Sequence, residues 1–204
     1  MKLPKRFSQK KILLLILIVG AVLANLILYI NSGKKAQLPI TSISAKNIAV
    51  KNLPIPDAGQ PIHLKIPIIN VDASIENVGQ DSNGLMEVPK NIEAAGWFEL
   101  GKKPGEIGSA VIAGHYGLYA GKPTVFNELN KLKAGDEVLT EDEIGTTVSF
   151  IVKEIRRYDP TADTTNIFSS DDEKAHLNLI TCDGAWNKDA KSFNQRLVVF
   201  TDKK

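Results

Sequence analysis

The sequence predicts a mainly β domain, closed or sandwiched, with few helices and a single membrane-spanning helix ahead of it. Three observations lead there. From Pro61 onward, short runs alternate apolar and polar residues at the two-residue period of a strand, and glycine and proline punctuate them at fairly regular intervals. Ile12 to Ile30 is a nineteen-residue apolar run broken only by Gly20 and Asn25, close to the ~20 residues a helix needs to cross a bilayer. The charge also reverses sign between the two parts.

Residues 1–11 carry Lys2, Lys5, Arg6, Lys10 and Lys11, and no acid occurs before Asp57. A basic flank on that side predicts a cytoplasmic N-terminus, with everything after the span outside the cell. The run 12–30 exceeds the ~7–15 residues of a signal-peptide core. An uncleaved anchor is therefore expected; the competing cleaved signal would have to use Ala21, Ala24 or Asn31-Ser32-Gly33. Residues 31–60 form a linker, rich up to residue 56 in Ser, Lys, Ala, Pro and Asn, that holds the domain 61–204 off the membrane. Of the 25 Lys and Arg, five precede the span and four lie between it and residue 56, leaving 16 against all 23 acids and a net charge of −7 from residue 57 onward. An acidic domain excludes nucleic acid as a partner. One cysteine excludes an intramolecular disulfide, so about 148 residues must be stabilised by a core.

Within the domain, Ile62–Ile66 and Val71–Val78 read as paired strands, and Asp81-Ser-Asn-Gly84 as a turn. Trp97–Leu100 is a short strand and Ser109–Ala113 a buried one. Phe126, Leu129 and Leu132 recur at three-residue spacing, which makes 125–132 the best helix candidate. Glu137–Thr140 and Thr147–Tyr158 follow as strands, and Ala175–Cys182 and Gln195–Thr201 close the chain.

The stretch from His176 to Gly184 holds the only cysteine. Alternation points Leu177, Leu179 and Thr181 to one face and His176, Asn178, Ile180 and Cys182 to the other. A thiol at a strand end can serve as a nucleophile, although a lone cysteine reads equally as a small buried hydrophobe. A useful nucleophile needs a base or a cation nearby. His63 alternates with Lys65 on a solvated face. His176 shares the Cys182 face, but six residues at ~3.3 Å each set it about 20 Å away. His115 lies in Ala-Gly-His-Tyr-Gly at the end of an apolar strand, where glycines permit close approach of another chain; elimination leaves it as the base, against the alternative of a structural turn histidine. If the strands ending at Cys182 and starting at Arg196 are antiparallel neighbours across loop 183–195, Arg196 lies near the thiol, where its fork of donors suits a developing oxyanion. Pairing with Asp183 or Asp189 is the competing role. Asp183, adjacent to Cys182, works against a thiolate, so His115 and Arg196 must outweigh it.

Together these residues resemble the sortase family of membrane-anchored cysteine transpeptidases. Asn178-Leu-Ile-Thr-Cys182 is similar to the family's Thr-Leu-x-Thr-Cys strand, Val111-Ile-Ala-Gly-His115 to its histidine segment, and Arg196-Leu-Val-Val-Phe200 to its arginine strand. Order and spacing agree over residues 61–202, and Asn178 departs from the usual threonine. The resemblance implies a closed eight-stranded β-barrel with one or two short helices, with Cys182 as nucleophile, His115 as general acid and base, and Arg196 holding the substrate carbonyl. It also implies cleavage of a Leu-Pro-x-Thr-Gly-like sorting signal after its threonine and transfer of the acyl group to an amine of a cell-wall precursor or a pilin lysine. Thr181, Ile180 and Trp186 are the expected substrate contacts. No cofactor is expected and no metal, since the Glu141-Asp142-Glu143 run reads as a solvated turn. A protease resolving the same thioester with water and a non-enzymatic tethered binding domain are the alternatives. The linker segment Leu38-Pro-Ile-Thr-Ser42 is itself similar to a sorting signal with serine in the last position, and chance explains it in a proline-containing linker.

Overall fold

Alternation of buried and exposed side chains builds the first strand, β1 (Pro61–Ile66), with Leu64 and Ile66 fully buried. A turn through Asn70, in the left-handed region at φ 53, returns the chain into the antiparallel strand β2 (Val71–Val78). The computed structural model describes residues 58–204. The basic segment, the expected membrane span and most of the linker, with its Leu38–Ser42 motif, lie outside the described residues. Among the described residues, no helix is long and apolar enough to cross a membrane.

Further strands follow as β3 (Ala95–Phe98), β4 (Gly108–Gly114), a small ribbon of β5 (Leu118–Tyr119) and β6 (Lys122–Pro123), β7 (Glu137–Asp142), β8 (Thr147–Tyr158), β9 (Ala175–Asn187) and β10 (Ser192–Lys203). Eight of them close a barrel in the order β1-β2-β3-β4-β9-β10-β8-β7, with β7 pairing back onto β1. The closed eight-stranded barrel implied by the resemblance is thus present. Closure leaves no sheet edge for another chain to pair with. Two of the pairings are parallel, β2 with β3 and β4 with β9. Parallel neighbours need a crossover connection, and the chain from 115 to 174 supplies one through the ribbon, β7, β8 and the short helix α1 (Thr165–Phe168).

The barrel interior is filled by alternate residues of every barrel strand, among them Leu64, Ala95, Ile112, Val138, Phe150, Leu177, Leu179, Leu197 and Val199. A second, smaller cluster lies on the outer wall, where Ile167 of α1 packs on Val111 and Val198, with Phe98 set edge-on to Phe168 at 5.5 Å. The outer faces of β4, β9 and β10 are therefore covered by α1 over their middle. Their ends are left open.

Three local expectations are corrected. The short strand runs from Ala95 to Phe98, and Glu99 and Leu100 turn away from the sheet. The 125–132 stretch is a series of tight turns with one 3-10 segment at Leu129–Lys131. The amides of Asn127, Leu129, Lys131 and Leu132 each bond to the carbonyl three residues back rather than four, so the stretch winds as tight 3-10 turns that bury Phe126, Leu129 and Leu132 on one face. The expected loop 183–195 is mostly strand: β9 runs on to Asn187 and β10 starts at Ser192, with a bulge between Phe193 and Gln195.

Gly114 ends β4 where the Phe126 ring lies against its backbone, so a Cβ there would run into the ring. Gly114→Ala is expected to lower stability by about 1–3 kcal/mol through overpacking, read as a lower urea midpoint. A chain lacking residues 1–56 should still unfold cooperatively, because the described core uses none of them.

Candidate active site

Cys182 and Arg196 are directly opposed across the antiparallel β9–β10 pair. Opposed residues share a face, and here it is the outer wall, since Leu179, Leu197 and Val199 fill the interior. On the other side of β9, the parallel register with β4 matches Ala113 to Ile180. Continued by two residues, that register sets Gly114 against Thr181 and His115 against Cys182. The Thr181 hydroxyl donates to the Gly114 carbonyl at 2.7 Å, which holds the step in place. Three adjacent strands thus bring His115, Cys182 and Arg196 to one level, with neighbouring backbones about 4.8 Å apart.

The surroundings of the three differ. Cys182 is a partly buried free thiol. Together with Arg196, Thr181, Ile180, Ala113, Met86, Val88 and Phe168 it lines a mostly apolar cavity of ≈120 Å³. His115 opens instead on a neighbouring groove of ≈690 Å³, walled by Pro89, Tyr116, Trp186 and Phe193. The segment 86–90 runs between the two hollows and lines both. His115 Nε2 lies 2.8 Å from the Pro89 carbonyl. A carbonyl only accepts, so Nε2 carries the proton and Nδ1 is the ring nitrogen left to exchange one. Arg196 donates through Nη1 to the carbonyls of Phe193 at 3.0 Å and Gln195 at 2.9 Å. That leaves Nε and Nη2 without a partner among the described residues. A hollow of ≈460 Å³ beside Ile69–Ala73 has neither cysteine nor histidine in its lining, and side-chain chemistry rather than volume points to Cys182 as the candidate site.

The competing role for Arg196 is not the one seen. Asp183 is buried and pairs with Arg157, whose Nε donates to its carboxylate at 2.6 Å. Of the expected substrate contacts, Ile180 stands on the cavity face, and Thr181 is 3% exposed with its hydroxyl committed to Gly114. Trp186 sits in the His115 groove, edge-on to Phe193 at 5.2 Å, with Tyr116 on another side of the same ring at 5.2 Å. Met86, Val88, Phe168 and the Pro89 carbonyl escaped sequence reasoning. Met86, Val88 and Pro89 come from a connecting segment, and Phe168 from a helix of four residues, too short to show a period. Among the described residues, no group of three or more His, Cys, Asp and Glu could hold a metal ion.

The other histidines stand apart. His63 pairs with Asp72 on the first hairpin. His176 lies at the start of β9, between Asp172 at 2.8 Å and Asp202 at 3.0 Å. Burial pushes its pKa down, but the hydrogen bonds to Asp172 and Asp202 outweigh that and hold it above the ordinary 6.5. The stability it adds is fully present below 6.5 and is lost as pH rises through the higher folded-state value. Replacing His176 with Gln should flatten that part of the stability–pH curve, measured by urea unfolding across the interval, and should leave the level of Cys182 untouched.

The family model described as Sortase domain matches residues 64–204. Among solved structures, the chain is similar to sortase C-1 from Actinomyces oris, with 27% identity over 70% of this chain and 72% of that one and a TM-score of 0.55. It is also similar to sortase A from Corynebacterium diphtheriae, with 27% identity over 72% of this chain and 62% of that one and a TM-score of 0.54. Sortase C-1 from Streptococcus pneumoniae matches with 25% identity over 70% and 66% and a TM-score of 0.55. No curated protein matches the sequence.

Proposed function

The chain belongs to the sortase family, and from that premise we propose that it is a membrane-anchored cysteine transpeptidase whose nucleophile is Cys182. The observation that carries this reading is the direct opposition of Arg196 and Cys182, with His115 just beyond the end of β4, the strand on the other side of β9. A thiolate on Cys182 attacks the carbonyl carbon that follows the threonine side chain of a Leu-Pro-x-Thr-Gly-like signal. The two uncommitted donors of Arg196 stabilise the oxyanion as it forms. The peptide bond then breaks, the leaving amine takes a proton from His115, and the acyl group remains on sulfur as a thioester. An incoming amine, from a cell-wall precursor or a pilin lysine, attacks the thioester; His115 takes its proton and the thiolate leaves.

The cavity supports a short apolar side chain beside the scissile carbonyl, because Met86, Val88, Ala113, Phe168 and Ile180 give it an apolar wall, with Arg196 and Glu87 as its charged lining. In this reading residues 12–30 anchor the chain, the N-terminus is cytoplasmic, and the barrel acts outside the cell on surface proteins that bear the signal. Hydrolysis is the outcome when water reaches the thioester before an amine does.

The test is incubation of the full chain in detergent with a sorting-signal peptide library, with and without amines, followed by mass spectrometry. Ligated products that depend on added amine are expected, and absence of any thioester at Cys182 with every peptide would sink the proposal. Cys182→Ala and His115→Ala should both abolish acylation, since residues that act as a unit fail together. Arg196→Lys keeps the charge and loses the planar fork, so kcat should fall by on the order of 10²-fold with little change in binding. Single-turnover intact mass, with the fold confirmed by circular dichroism, separates these cases.

A further inference from the structure

We propose that Arg157 is a positioning residue for this chemistry, acting through Asp183 to cancel the negative charge next to the nucleophile and to hold β10 in register beneath Arg196. The proposal rests on Cys182 being the reactive thiol. The pair is built into three strands. Arg157 belongs to β8 and Asp183 to β9, and these two strands are not neighbours, because β10 runs between them. In register, Arg157 opposes Leu197, and Leu197 opposes Thr181, one residue short of Cys182. Arg157, Leu197, Thr181 and Asp183 therefore share the inner face at the barrel mouth, whereas Tyr158, Arg196 and Cys182 form the next row on the outer face. The ion pair ties β8 to β9 across the inner side of β10, directly behind Arg196.

The electrostatic need is plain from the sequence. Asp183 places a carboxylate one residue from the thiol, and a like charge at that range opposes thiolate formation. Its side chain is only 9% exposed, so water screens it weakly, and Arg157 is the cation that meets it, at 2.6 Å. The other charged or titratable groups around Cys182 are Arg196 from β10, Tyr158 opposite Arg196 on β8, His115 beyond the end of β4, and Glu87 from the 79–94 segment. One carboxylate on that list already lines the cavity. A second, buried and unpaired, would leave Arg196 and His115 opposed by two acids. The tie also fixes a strand that has just passed a bulge between Phe193 and Gln195, where register is least secure.

A merely structural pair would change stability and nothing else. The charge role makes the sign of each effect specific. Because Cys182 is the only cysteine in the chain, iodoacetamide alkylation of the full chain in detergent, followed by intact mass across pH, reads that thiol without any peptide substrate. Failure of this proposal is thereby distinguishable from failure of the assigned reaction. For Arg157→Gln the pH midpoint of alkylation is expected to rise by about one pH unit, with about tenfold slower alkylation near neutrality. Arg157→Lys restores the cation and should track the wild type. Asp183→Asn leaves Arg157 uncompensated and should lower the midpoint, and the double variant Arg157→Gln/Asp183→Asn should return to near the wild-type profile. An unchanged profile for Arg157→Gln, or a double variant as slow as the single one, overturns the proposal. Should Arg157→Gln not fold, Asp183→Asn decides alone, and a midpoint that fails to fall overturns it.

Discussion

The parallel pairing of β4 with β9 is the constraint on which the rest of the molecule depends. It joins two segments far apart in the chain, and every other feature of the site is placed relative to it. A parallel ladder sets the C-terminal ends of both strands at the same end of the barrel. Antiparallel addition of β10 then brings its beginning to that end as well. The end of β4 meets there the stretch of β9 and β10 around Cys182 and Arg196, beyond which their ladder extends by several residues, without any dedicated scaffold. The barrel must close for this to hold, since β4 and β10 are fixed by their other neighbours β3 and β8.

Much of this was legible from residues alone. Period-two alternation located β1, β2, β8 and the first half of β9 close to where they form, because side chains there alternate between a core and a more open face, and an apolar run bounded by glycines located β4, which is buried throughout. The 125–132 stretch was misread for a physical reason. A three-residue apolar spacing fits both an α-helix seen over one turn and a chain of 3-10 turns, and the two are separated by the amides of Asn127, Leu129, Lys131 and Leu132, which bond three residues back. No local rule shows that choice. The extension of β9 to Asn187 was hidden because Asp183-Gly184 has the composition of a turn, whereas Asn194 closes the ladder there by accepting from the Ala185 amide at 2.8 Å.

For the site, elimination among three histidines led to His115 because distance along a strand can be counted from the sequence. The direction of a side chain cannot. That His115 and Cys182 open on different hollows follows from the path of residues 86–90, a segment whose turn at Asp81–Gly84 was readable and whose docking was not. The partner of Asp183 was similarly out of reach. Arg157 lies in another strand, and the pair forms only because both strands flank β10.

The chain has two tryptophans, and the fold sends them to opposite environments. Trp97 is 3% exposed, with its indole N–H donating to the Lys102 carbonyl at 2.9 Å, and Trp186 is 53% exposed on the rim of the His115 groove. Indole emission shifts with the polarity around the ring, so the protein carries two separable optical signals. The blue-shifted one, from Trp97, follows the integrity of the barrel. The red-shifted one, from Trp186, follows whatever settles against Phe193 and Tyr116, and replacing either indole by phenylalanine isolates the other. Folding and occupancy of the groove can thus be watched in one cuvette without attaching a dye.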